Sequence, residues 1–444
     1  MTLVGELELE SFDYTDPDLK GERFHAAMRE LAAGGWLAEG PYGYVVLDRE
    51  AGEFFLRTRS AIFPGMKIAE LFDVSEGPLW EEMKRNILHV NGADHTRLRS
   101  LVNPALTPRA VERWRPAMRD FLDQLFVAVE REGRCEFVGA FAKPYPSQTI
   151  ATVMGAPIED APRLHHWSNW IQKQFDAASM MTERPLIEQA VEEFYEYAGA
   201  LLAARRESPG EDLISTLLAA TYHDPNAGAH GGEGREPDRL SEEECVNLVL
   251  NVLIGGVDTT QSQLAHAVRL LAEHPDQWQA LVEDPSLAGA AVEEALRYEP
   301  ITPFTARITV EDVTYRDVTF PKETIVMVCA FTGNRDLPGG DSGEARSKSA
   351  PEGERAPHRE GQGAGEASGA HSFDITAERP RARALTFGAG VHYCLGANLA
   401  RLELEEGLSF LARKMPRLEL DGEPVFESIL GIYGLAELPV RFGG

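Results

Sequence analysis

Cys394 is a thiol placed where a thiolate is easily held. It sits in "FGAGVHYCLG", with Gly388 and Gly390 before it, Gly396 two residues after, and the amphipathic run "NLARLELEEGLSFLARK" beyond. Unpaired backbone N–H groups and the helix dipole at such a position favour the thiolate and should lower the thiol pKa. Missing side chains at Gly388 and Gly390 let a flat or bulky ligand approach the backbone. The stretch therefore reads as a thiolate offered to a ligand. Zinc is a poor candidate, because Cys135, Cys245 and Cys329 lie far away in sequence and no CxxC pair exists.

Three weaker patterns accompany it. "GGVDTT" puts an acid, Asp258, and a hydroxyl, Thr259, one turn beyond paired glycines in an apolar run. Such a pair reads as a proton path, or equally as a glycine-mediated helix crossing with a self-satisfied threonine. Glu294 and Arg297, three apart in "EEALR", share a helical face and can pair. His95 and Arg99, four apart in "ADHTRLRS", suit an anion such as a carboxylate, or form a solvated basic face.

Elements that must position these residues are mostly helices. "AMRDFLDQLFVAVERE", "PLIEQAVEEFYEYAGALLAARRE" and "QSQLAHAVRLLAEHPDQWQALVED" carry apolar residues at helical spacing. "SEEE" caps a helix apolar nearly all round, which should run through the interior and kink at its paired glycines, opening a groove. Strand-like pieces are short: "YGYVVLD", "VTYRDVTFPKETIVMVC" and "LAELPVRF". The fold class expected is mainly α with small β-sheets (α+β), in one domain over 1–444. Two polar segments interrupt it: "HDPNAGAHGGEGREPDRLSEEE", and residues 338–372, which hold no Val, Ile, Leu, Met, Phe, Tyr or Trp. The latter predicts a disordered surface insertion, since it has nothing to bury.

Composition excludes some functions. The 444 residues carry a formal charge of −28, against the basic surface that nucleic acid requires. No apolar run approaches the ~20 residues of a membrane span. A cytoplasmic monomer without disulfides is the expectation.

Taken in order, "HTRLR", "GGVDTT", "EALR" and "FGAGVHYCLG" resemble the soluble bacterial cytochromes P450. The last matches that family's haem-binding signature, Phe-Gly-x-Gly-x-x-x-Cys-x-Gly, at every defined position, and the resemblance spans about residue 20 onward. It implies the P450 fold, with haem b between the long central helix and the cysteine loop. By the same resemblance Cys394 is the axial ligand of the haem iron, backed by Phe387 and Gly388. His95, Arg99, Arg307 and His392 match propionate-binding positions; Gly255 borders the haem. Asp258 and Thr259 match the oxygen-activating acid and hydroxyl, and Glu294 and Arg297 a buried structural pair. One departure stands out. The family's third partner for that pair precedes "FD", where this chain has Ser372 with His371 one step off.

The implied function is a monooxygenase that inserts one atom of O₂ into a lipophilic small molecule. No electron-transfer segment is fused to the chain, so a separate ferredoxin or flavodoxin system must supply electrons. A peroxide-driven peroxygenase is the second reading, disfavoured by the Asp258–Thr259 pair; a haem-thiolate sensor is the third. Substrate-contact regions map to "IFPGMKIAELFDVSEGPLW", to "ITPF" with Thr302 and Phe304, to "ILGIYGL" with Ile432, and to Ile254 and Gly255 on the central helix. Asn251 is counted with them, since helical turns back from Thr259 pass through Gly255 to Asn251. An amide there predicts either a bond to a neighbouring helix or one to a carbonyl, hydroxyl or ether of the substrate.

Overall fold

The interior is organised by one broken helix. In the computed structural model, which describes residues 1–222, 238–336, 369–379 and 383–443, it runs as Glu242–Gly256 and Asp258–Glu273. Ser241 starts it with a capping box: its hydroxyl accepts the Glu244 N–H at 3.1 Å, and Glu244 Oε2 accepts the Ser241 N–H at 2.8 Å. Glu242, Glu243 and Glu244 place negative charge at the positive end of the dipole. Leu248, Leu250, Leu253, Leu264, Leu270 and Leu271 are all fully buried along it. Each such side chain contributes about 1.5–3 kcal/mol of burial, which offsets the low helix propensity of the glycines.

The break at Val257 has a local cause. A Cβ at Gly256 would collide with the Ile150 side chain of helix Pro144–Met154, so glycine lets the two helices come this close without Ile150 moving. Gly255 borders open space instead. The Thr259 hydroxyl donates to the Gly255 carbonyl at 2.5 Å; a side chain bonding four residues back bends a helix.

Helices Pro144–Met154, Ala161–Gln172 and Arg184–Glu207 pack around the first half, and Ala288–Tyr298 and Ala397–Lys414 against the second. The strand-like pieces all form strands. The largest sheet has five, in the order Leu37–Gly40, Gly43–Val46, Ile325–Cys329, Phe304–Thr309, Ala61–Ile62. In it Phe304 lies opposite Cys329 and Arg307 opposite Val326. Smaller sheets join Thr2–Leu3 to Val313–Phe320 and Arg134–Glu136 to the C-terminal strands. The expected class, mainly helical with small mixed sheets, is the observed one. Among the described residues no helix is long and apolar enough to cross a membrane.

Most of the predicted insertion at 338–372 lies outside the described residues. Its last residues are within them. Arg297 donates to the carbonyls of Ala370 and Ser372, each at 2.7 Å.

Candidate active site

Between the broken helix, the five-stranded sheet and the cysteine loop lies a cavity of about 1300 Å³. Cys394, Gly255, Gly256 and Thr259 reach it, and so does each of the four propionate-binding positions named from sequence.

The cysteine loop is held by its own backbone. The Cys394 N–H donates to Phe387 O at 2.9 Å. Gly390 adopts φ +72° beside the backbone of helix Arg49–Arg57, where a Cβ would stand 2.5 Å from Leu56 O; no other residue fits. The Arg401 guanidinium lies 4.5 Å from the centre of the Phe387 ring. One sequence expectation is corrected here: the thiol pKa is raised, not lowered. Burial pushes it up, and the Gly396 and Ala397 backbone with Arg99 and Arg401 only reduce the penalty. Loop donors outweigh desolvation at an exposed helix mouth, not where the surrounding protein desolvates the thiol.

Two arginines and two histidines line the same cavity. The His95 and His392 rings stand 4.3 Å apart. Arg99 Nη2 donates to Tyr393 O at 3.0 Å, and Arg307 Nη1 to Ala306 O at 2.8 Å. None of the four has a carboxylate partner among the described residues. Burial lowers Arg307 to about 10, and lowers His392 to about 3 together with the charges of His95, Arg307 and Arg99. A buried guanidinium and a half-buried one without counter-ions destabilise the fold unless an anion joins them. A ligand carrying two carboxylates, with an atom for Cys394 to bind, meets that need. The donor set therefore fits haem.

Thr259 lies on the cavity wall with Gly255. Asp258 does not. Its side chain turns to helix Ala161–Gln172, where Oδ2 accepts the Ser168 hydroxyl at 2.6 Å. Oδ1 is buried without a partner, 4.0 Å from His165 Nε2. Burial raises its pKa, opposed by Ser168, His165, Asn169 and Lys143. A proton leaving Asp258 for the cavity must pass through a turn of its side chain.

Glu294 and Arg297 form the buried pair expected, with two contacts of 2.7 Å. Neither His371 nor the Ser372 side chain completes it. Arg379 does, reaching Glu294 Oε2 at 2.8 Å and Oε1 at 2.7 Å. It stands seven residues beyond Ser372, and nothing in "TAERPRAR" marks which arginine folds back.

Asn251, Ile254, Thr302, Phe304 and Ile432 line the cavity as well. Asn251 Nδ2 bonds its own helix rather than a neighbouring one, at Asn247 O (2.7 Å) and Asn247 Oδ1 (2.9 Å). Glu403 was not anticipated. It is fully buried on the cavity wall, neither carboxyl oxygen completes a hydrogen bond, and burial pushes its pKa well up. In "LARLELEE" it reads as one more surface acid of an amphipathic helix.

Comparison with known proteins agrees with this geometry. The family model for cytochrome P450 matches residues 44–337. Luteothin monooxygenase of Streptomyces thioluteus is 31% identical over 439 residues, 98% of this chain and 97% of that protein. A biotin biosynthesis cytochrome P450 of Bacillus subtilis is 33% identical over 361 residues, 80% of each chain. Among solved structures, CalO2 superposes with a TM-score of 0.80 at 28% identity, covering 98% of this chain and 100% of that one. P450BioI, solved with an acyl carrier protein bearing hexadec-9-enoic acid, gives 0.77 at 28% identity, covering 95% and 99%. With a family model over residues 44–337 and a relative matched nearly end to end, the chain belongs to the cytochrome P450 family of oxygen-incorporating oxidoreductases.

Proposed function

We propose that this chain is a haem b monooxygenase that inserts one oxygen atom of O₂ into a lipophilic small molecule, with electrons from a separate ferredoxin or flavodoxin. One observation carries the reading: Cys394 and Thr259 face one cavity whose cations lack carboxylate partners among the described residues. Arg99, Arg307, His95 and His392 would hold the two haem propionates, and Cys394 would bind the iron. When bound, the haem supplies O₂ activation, with the thiolate favouring O–O cleavage. Thr259 would present a hydroxyl to the cavity, and Asp258 would relay protons from behind it, beside His165. Ile254, Thr302, Phe304 and Ile432 exclude water and orient an apolar substrate.

Reduced protein with carbon monoxide should show the red-shifted Soret band of thiolate-ligated haem. Cys394→Ser should abolish it. A normal thiolate band in that variant ends the reading. Product formed with a ferredoxin, its reductase and NAD(P)H, and not with peroxide alone, separates the monooxygenase from the peroxygenase.

A further inference from the structure

Asn251 stands on the cavity-lining side of the central helix, eight residues before Thr259. That is about 12 Å along the axis at 1.5 Å per residue. Its amide nitrogen has two hydrogens, and both are spent inside the helix, on Asn247 O at 2.7 Å and Asn247 Oδ1 at 2.9 Å. The carbonyl oxygen is the polar atom that Asn251 has left for a ligand. Sequence alone leaves a carbonyl, hydroxyl or ether of the substrate as partners. The geometry narrows them to groups that donate.

The orientation of this amide is locked from behind. Rotating Asn251 by half a turn would set its oxygen against two acceptors, the Asn247 carbonyl and amide oxygens. Turning Asn247 as well relieves this only in part, because the Tyr195 hydroxyl can donate but the Glu82 carbonyl cannot. Asn247 Nδ2 donates to Tyr195 OH at 3.0 Å and faces the Glu82 carbonyl at 3.5 Å. Both ends of the relay rest on backbone carbonyls, which cannot donate. Losing two hydrogen bonds and gaining two repulsive contacts holds the relay in one sense.

We propose that Asn251 Oδ1 selects substrates bearing a hydroxyl or N–H about two helical turns from the carbon that is oxidised, with Asn247 as its positioning residue. The proposal rests on the monooxygenase reading and names its substrate class. A substrate group that only accepts, such as a ketone or ether, meets an oxygen there and is rejected.

The test uses the haem-loaded protein and a panel of alicyclic alcohols of ten to twenty carbons, each paired with its methyl ether. Affinity is read from the substrate-induced Soret shift and independently by calorimetry. The best-binding alcohol should bind about tenfold tighter than its ether, the effect of one hydrogen bond. Asn251→Leu should bring that ratio to about one by weakening the alcohol. Asn247→Leu removes the side-chain half of the lock and leaves the Asn247 backbone carbonyl, so it should shrink the ratio only in part, by easing the turn that lets the ether bind. That gain of binding is something a merely structural residue would not produce. Tyr195→Phe, a milder change, should move the ratio in the same direction should Asn247→Leu fold poorly. Equal affinities in the wild type, an unchanged ratio in Asn251→Leu, or no alcohol binding at all overturns the proposal. A wild-type protein without the thiolate carbon monoxide band sinks the monooxygenase reading instead, so the two failures are distinguishable.

Discussion

Thr259 and Asp258 are adjacent in sequence and face different surroundings, and this divides the work between them. The Thr259 hydroxyl is on the cavity wall, tied to Gly255 O at 2.5 Å. Thr259→Ala should leave substrate affinity within about twofold, since a single neutral hydroxyl already bonded to Gly255 O contributes little to binding. Coupling should fall instead, with electrons appearing as hydrogen peroxide. Stoichiometry of NAD(P)H, peroxide and product measures this, and wild-type coupling in the variant removes Thr259 from the chemistry. The residues themselves were legible in "GGVDTT"; the direction of Asp258 was not. Facing follows from the break at Val257, which shifts the helical phase, and from Ser168, a partner 90 residues away.

At the scale of elements, the end of helix Ala288–Tyr298 is clamped to the segment entering the cysteine loop. Glu294 receives both Arg297 and Arg379, and Arg297 also holds the carbonyls of Ala370 and Ser372. Arg379→Ala removes one of two arginines from a buried carboxylate while the other remains. Its expected cost is about 1–3 kcal/mol, below that of leaving a buried charge alone. Glu294→Ala should cost more, about 3–5 kcal/mol, because two guanidiniums are then left facing one another. Chemical denaturation of the haem-loaded forms gives the order, and equal losses for both variants contradict this account. Helices, caps and strands were legible here because each answers to periodicity and local chemistry within a few residues. The clamp was not, because its third member lies beyond a low-complexity stretch whose length hides the register. The raised thiol pKa of Cys394 was hidden for a related reason: burial belongs to the assembled molecule, not to the loop.

Across the whole molecule, a second buried ionic network ties the first helix to the core. His25 and Arg269 both hold Glu299, at 3.0 and 2.7 Å, and Gly21 N–H donates to Tyr433 OH at 2.8 Å. Burial pushes the Glu299 carboxyl up, yet His25, Arg269 and His266 overcome it and hold it at about 2. His266, fully buried, is lowered to about 3 by burial. The signs agree for both groups. The folded state binds fewer protons than the unfolded one, so stability rises with pH through each window. For His266 the loss on acidification begins near its ordinary 6.5 and continues to about 3; for Glu299 it runs from 4.5 to about 2. Urea melts across pH 3–6.5 should show this slope, and His266→Gln should reduce it by about one proton. A slope unchanged in the variant would show that His266 titrates normally.

The part of the cavity that haem would leave for substrate has a volumetric consequence. Interior space that water fills loosely vanishes when the chain unfolds, so the unfolded state occupies less volume and hydrostatic pressure favours it. A substrate that fits closely fills that space and removes part of the volume difference. Occupancy thus sets how compressible the protein is, and the bound form withstands pressures at which the substrate-free form opens.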